Sequence, residues 1–94
     1  MLLFKVRFTW DEKNAAEHLS KHGVSFTEAE TAYNDPNVYF EPNVHHPERL
    51  NFIGYSEQAR LLYVVTVEIV DNEYAEIVTA WLATPAQRKR YEGQ

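Results

Sequence analysis

The stretch from Trp10 to Ala29 constrains this chain most, because its punctuation fixes two short helices and the joint between them. Asp11 has the side chain and position of an N-cap for a helix over Ala15, Ala16 and Leu19. Gly23, just after His22, supplies the left-handed residue that ends it. Ser25 and Glu28 then form an S-x-x-E capping box, and Val24 stands at staple spacing from Ala29. Phe26, Ala29 and Tyr33 recur at helical spacing until Asn34-Asp35-Pro36 stops the second helix. Helices this short need another layer to cover their apolar faces.

The remaining pattern supplies that layer. Phe4 to Thr9 alternates as a half-buried strand, and Val38-Tyr39-Phe40 reads as another. Pro42 to Pro47 is a loop, Leu50 to Tyr55 a strand, and Arg60 to Val70 an apolar, β-branched run that suits a central strand. Asp71-Asn72 turns the chain into a partner strand, Tyr74 to Leu82, in which Ala75, Ile77, Thr79 and Trp81 alternate against Glu76, Val78, Ala80 and Leu82. Thr84-Pro85-Ala86-Gln87 opens a C-terminal helix with Pro at its first position and a T-x-x-Q box. The plan is α+β: an N-terminal strand, a two-helix segment, an antiparallel β-meander and a short terminal helix, the helices packing on one sheet face. The apolar phases put Phe8, Leu19, Phe26, Phe52, Leu62, Val64, Ile77 and Val78 in the core.

Ninety-four residues, 45% of them hydrophobic, build one core, so residues 1–94 are expected to form a single domain. The chain has no cysteine, compatible with a reducing compartment. The apolar start is charged by Lys5, too soon for a signal peptide, and no run reaches membrane-spanning length. A cytoplasmic protein is the expectation. A net charge of −5 argues against a surface-wide nucleic-acid binder, although Arg88, Lys89 and Arg90 make a basic tail and Glu68, Asp71, Glu73 and Glu76 an acidic hairpin.

The Trp10-Asp11 pair, the run Leu19-x-Lys21-His22-Gly23-Val24-Ser25-Phe26-x-Glu28-Ala29, and Ala83-Thr84 followed by Arg88-x-x-Tyr91-Glu92 resemble the BrnT family of bacterial type II toxin–antitoxin systems. Asp35-Pro36, Glu48-Arg49, Ile53-Gly54 and Arg60-Leu61-Leu62 extend the likeness over nearly the whole chain. The resemblance implies a compact fold similar to RelE-type toxins and a ribonuclease that blocks translation. It also implies a ribbon-helix-helix antitoxin as cognate partner, with operator DNA contacted only through that antitoxin and a homo-oligomer within the complex left open.

Metal-independent RNA cleavage needs a base for the 2′-hydroxyl, an acid for the leaving 5′-oxygen and a cation at the phosphate. Arg49 and Arg60 head adjacent strands on family positions; each offers a bidentate fork, or a salt bridge to Glu48 or Glu57. His22 is of the side-chain type that titrates near neutrality, and can equally serve the end of its helix. With Arg49 and Arg60 it makes the candidate catalytic set. Lys21, Trp10, Arg88 and Arg90 are the candidate RNA contacts, with core packing the alternative for Trp10. His18 and His22 stand at a metal-chelating spacing but no third ligand is specified, so no metal or cofactor is expected.

The chain also departs from its apparent family. Such sequences usually carry Ser-Ala-Arg-Arg-Ala-Thr where this one has Thr79-Ala80-Trp81-Leu82-Ala83-Thr84, and a Lys and an Asn at the places of Asn14 and His18. Indole and isobutyl groups offer no charged hydrogen bond to an oxyanion. Two readings therefore stand side by side: a ribonuclease toxin, and a weakened relative that keeps only its antitoxin-binding surface.

Overall fold

A computed structural model describes residues 7–70 and 74–94, with the side chains of residues 69 and 70 outside the description. The elements are β1 (Arg7–Thr9), α1 (Glu12–His22), α2 (Phe26–Ala32), β2 (Tyr39–Pro42), β3 (Arg49–Tyr55), β4 (Leu61–Val70), β5 (Tyr74–Leu82) and α3 (Pro85–Glu92). Phe4 to Val6 of the expected first strand and the Asp71-Asn72 turn lie outside the described residues.

Local chemistry acts as the sequence indicates. Asp11 accepts from the Asn14 amide and Gly23 takes a left-handed φ of 69°. Ser25 accepts from the Glu28 amide, but the expected S-x-x-E box is only half made, because the Glu28 carboxylate is taken by Ser56 and Arg60 instead of the Ser25 amide; the Thr84–Gln87 box is reciprocal. The five strands lie in the order β1-β5-β4-β3-β2. The antiparallel meander is extended by β1, which joins β5 in parallel through Arg7–Thr9 against Tyr74–Glu76.

The two sheet faces carry separate cores. On one, Phe52, Leu62, Val64, Ile77 and Ala80 meet Val24, Phe26, Ala29 and Ala32, with Phe8 and Trp10 packed at the margin. On the other, Ile53, Leu61, Tyr63 and Val65 meet Tyr91 of α3, with Val78 and Trp81 beside them, so the helices divide between the two faces rather than packing on one as the sequence pattern suggests. Gly54 lets β3 pass against the end of α2, where a Cβ would overlap the Ala32 carbonyl oxygen.

Two core expectations need correction. Leu19 is 50% exposed, because α1 lies against β5 with no buried residue of its own. Val78 faces the second core rather than joining Ile77, and the strict alternation expected along β5 fails. The cause is a β-bulge: Val65 pairs with Thr79 and Thr66 with Ile77, so Val78 is the inserted residue, and Ile77 and Ala80, three apart, share a face. Beyond Glu76 this edge of β5 has no strand partner among the described residues, and α1 serves it. The Asn14 side-chain amide donates to the Val78 carbonyl at 3.0 Å, and the His18 Nδ1 lies 3.2 Å from the Thr79 hydroxyl.

Burial separates the consequences of truncation. Leu62→Ala and Phe26→Ala each remove a side chain at most 1% exposed and should cost about 2–5 kcal/mol, whereas Leu19→Ala should stay below about 1 kcal/mol. Equilibrium urea unfolding of the three variants checks this order, which equal midpoints would contradict.

Candidate functional site

Arg60 follows the β3–β4 turn, in which Ala59 holds a positive φ of 59°. Its guanidinium makes a two-pronged contact with Glu28, its Nε 2.9 Å from Oε2 and its Nη2 on Oε1, and Nη2 also donates to the Gly23 carbonyl at 3.0 Å. The Ser56 hydroxyl adds a 2.7 Å bond to the same carboxylate. Glu28 is buried, and its hydrogen bond from Arg60 holds it below the usual carboxylate range against the opposing effect of burial. The partner of Arg60 is thus Glu28, not Glu48 or Glu57, and this guanidinium is committed to joining the helices to the sheet.

Arg49 lies elsewhere. Because β3 and β4 run antiparallel, the first residues of these adjacent strands stand at opposite ends: Arg49 opposes Val67, while Arg60 precedes the Leu61–Tyr55 pair. Six residues of extended chain separate the two ends by about 20 Å. Arg49 and Arg60 therefore do not flank one cleft, contrary to the sequence expectation. The Arg49 Nε is 3.9 Å from Glu48 Oε2 and has no hydrogen-bond partner among the described residues.

The residues that do come together lie between the end of α1 and α3. The His22 ring is 6.3 Å from Trp81, which stacks on Tyr63 at 5.0 Å and 18°. The Trp81 indole N–H donates to Gln87 of α3 at 3.3 Å. The Tyr63 hydroxyl donates to Glu41, which also takes two 3.0 Å bonds from Arg90. Burial, then Glu41, raises the pKa of Tyr63, so its proton stays in place. Arg88 donates to the Tyr55 hydroxyl at 3.1 Å and lies 3.9 Å from Glu92. Lys21 is exposed beside His22.

Trp10 is not part of this strip: it packs edge-on to Phe26 at 6.2 Å and donates to Glu12, the core alternative of the sequence reading. The His18 and His22 rings are 5.4 Å apart, and among the described residues no third His, Cys, Asp or Glu joins them in a metal-binding group. Burial, then His22 and Lys21, lowers the pKa of His18.

Sequence reasoning did not identify an open groove of about 650 Å³ on the face that bears α1 and α2, floored by Phe8, Tyr33, Leu50 and Phe52 and bordered by Glu48 and Glu68. Its signal was present as apolar residues on the same phase of β2 and β3 with too little helix to cover them.

Residues 10–86 match the family model described as the ribonuclease toxin BrnT of type II toxin–antitoxin systems. The fold is similar to the crystal structure of the Brucella abortus ribonuclease toxin BrnT, with a TM-score of 0.68 and 20% identity over 85% of this chain and 99% of that one. No curated protein matches the sequence. No helix of the described residues is long and apolar enough to cross a membrane.

The titratable groups around the α1–α2 joint give the protein an acid sensitivity with two parts. A lowered pKa means that the unfolded chain binds more protons, so stability rises with pH through each interval. For His18 the loss begins as pH falls below its ordinary value of 6.5. Glu28 contributes fully above 4.5, and this is lost as pH falls through its depressed folded pKa; Asp35 acts alike, since amides of Tyr55 and Asn37 and the Tyr91 hydroxyl outweigh its burial. Thermal melts from pH 8 to 3 should show both declines, with the lower one shallower in Glu28→Gln. A stability flat across that span would contradict the assignment. Arg60→Ala should cost about 2–3 kcal/mol, at or below the range for breaking a buried pair because a third of the Arg60 side chain meets solvent.

Proposed function

For a chain that belongs to the BrnT family of ribonuclease toxins of type II toxin–antitoxin systems, we propose that it cuts RNA without a metal ion on the face between the end of α1 and α3. The observation that carries this reading is the joining of His22, the Trp81–Tyr63 stack and the α3 cations on one face. The reaction is transesterification. The 2′-oxygen bonds to phosphorus as a base takes its proton, the P–O5′ bond breaks, and an acid protonates the leaving oxygen, leaving a cyclic phosphate and a 5′-hydroxyl. His22 serves in one of these proton transfers. The Trp81–Tyr63 pair offers a platform for a base, and Lys21, Arg88 and Arg90 contact the backbone phosphates. Arg60 is a positioning residue that holds the Gly23 carbonyl next to His22. Arg49 stands outside this face.

The protein acts in the cytoplasm, and a ribbon-helix-helix antitoxin neutralises it and carries the contacts to operator DNA. An acidic toxin suits that division, since phosphate binding rests on clustered cations. The antitoxin encoded beside the gene should co-purify with the protein and raise its melting temperature in proportion to the logarithm of antitoxin concentration at saturation. No complex and no shift would count against the toxin–antitoxin reading.

A second reading is favoured by the engagement of the site's cations. Glu41 holds Arg90, Tyr55 and Glu92 hold Arg88, and Trp81 and Leu82 occupy the two places where Arg is expected. On this reading the chain binds antitoxin but cuts RNA poorly. Two variants separate the readings. His22→Gln, with an unchanged circular dichroism spectrum, should lower cleavage about 100-fold or more if the imidazole transfers a proton. Leu82→Arg, at a side chain 49% exposed, should fold and add a phosphate contact that steepens salt dependence. Cleavage lost in the first variant supports the enzyme. Cleavage that appears only in the second supports the weakened relative. The assay should avoid Trp81→Arg, which breaks the stack on Tyr63.

A further inference from the structure

The layer of helices on the first sheet face is incomplete. At 1.5 Å per residue the seven residues of α2 span about 10 Å, whereas the ten residues of β4 run for about 33 Å. The Gly54 end of β3 is covered by α2, and α1 follows the β5 edge. Among the described residues nothing covers the opposite half of the face. Register puts Phe8, Ala75, Glu68, Thr66, Leu50 and Phe52 on it, since Phe8 pairs with Ala75, Ala75 with Glu68, Thr66 with Leu50, and Phe52 with Val64 of the first core. These side chains surround the groove of about 650 Å³. Phe40, beside Phe52 on the outer strand, and Leu50 remain 43% and 44% exposed.

The floor is aromatic, with Phe8, Tyr33 and Phe52 in mutual ring contact at 5.2 to 6.2 Å, and Phe40 continues the aromatic surface past the groove, 6.0 Å from Phe52. Among the described lining residues the border is acidic, with Glu48 and Glu68 against Arg49, which itself leans on Glu48, while Arg7 lies behind the rim on the Tyr74 hydroxyl. An RNA strand would bring one phosphate per nucleotide to a border whose carboxylates outnumber its cations. A basic polypeptide meets the opposite balance, and the net charge of −5 adds attraction at a distance.

We propose that this uncovered half-face is the docking groove for an amphipathic helix of the antitoxin, its apolar side on Phe52 and Leu50 and its Lys or Arg flanks on Glu48 and Glu68. The helix completes the layer that α1 and α2 begin, an instance of helix-in-groove recognition. The inference rests on the toxin–antitoxin reading above and names the surface that reading leaves unassigned.

Titration calorimetry with the purified antitoxin encoded beside the gene tests it, on variants checked for folding by thermal melts. Leu50→Asp and Phe40→Asp should each weaken binding at least tenfold. Glu48→Lys with Glu68→Lys should weaken it and flatten its salt dependence, and both sites are exposed enough for that variant to fold if the apolar replacements do not. Leu19→Asp, on the outer side of α1, should bind as the parent does. Parent-like affinity in all the groove variants would overturn the proposal and leave the toxin–antitoxin reading standing; no binding by the parent would end both. The groove would also be misassigned if the variants kept antitoxin affinity but lost RNA binding, or if the parent formed a dimer that Leu50→Asp abolished.

Discussion

The buried carboxylate of Glu28 is the constraint around which the rest is arranged. It sits in the first turn of α2 and takes bonds from Ser56 and Arg60, which stand at the two ends of the β3–β4 turn. Arg60 then reaches the Gly23 carbonyl at the end of α1. One carboxylate thus fastens both helices to the hairpin at the heart of the sheet. A charge buried in this way must keep its partners, because leaving it unpaired costs far more than the pair contributes over apolar replacements. The arrangement specifies how the joint docks, and through Gly23 it sets where His22 can lie.

Much of this was legible in the sequence because the signals were local. The caps at Asp11, Ser25 and Thr84 and the left-handed Gly23 rest on neighbours within a few residues, and the structure keeps them. What was not legible depended on partners far apart in sequence. Nothing near Arg60 announces that its acceptor is Glu28, thirty-two residues earlier. The β5 bulge shows only in its register against β4, which its own alternation does not reveal. Arg49 and Arg60 looked like neighbours because each heads an adjacent strand, but antiparallel pairing sends the heads of such strands to opposite ends.

The site reflects a trade between packing and charge. Where related sequences are expected to carry Arg, Trp81 fills the space beside Tyr63 and Gln87, and Glu41 draws Arg90 toward the same place. This gives a well-packed face on which Arg90 and Arg88 are each engaged by a carboxylate. Such a surface attracts a polyanion weakly from afar, so any grip on RNA has to come from short-range stacking and hydrogen bonds.

The contact between α1 and the free edge of β5 has a consequence for how the molecule survives after synthesis. This helix buries none of its own residues, and elements with little buried apolar surface are the first to open in native-state fluctuations. Each opening withdraws Asn14 from the Val78 carbonyl and uncovers backbone that another chain's strand can pair with. The helix therefore guards against self-association as well as shaping the fold. Resistance to aggregation is then governed by how often the eleven residues of α1 detach, rather than by the depth of either core.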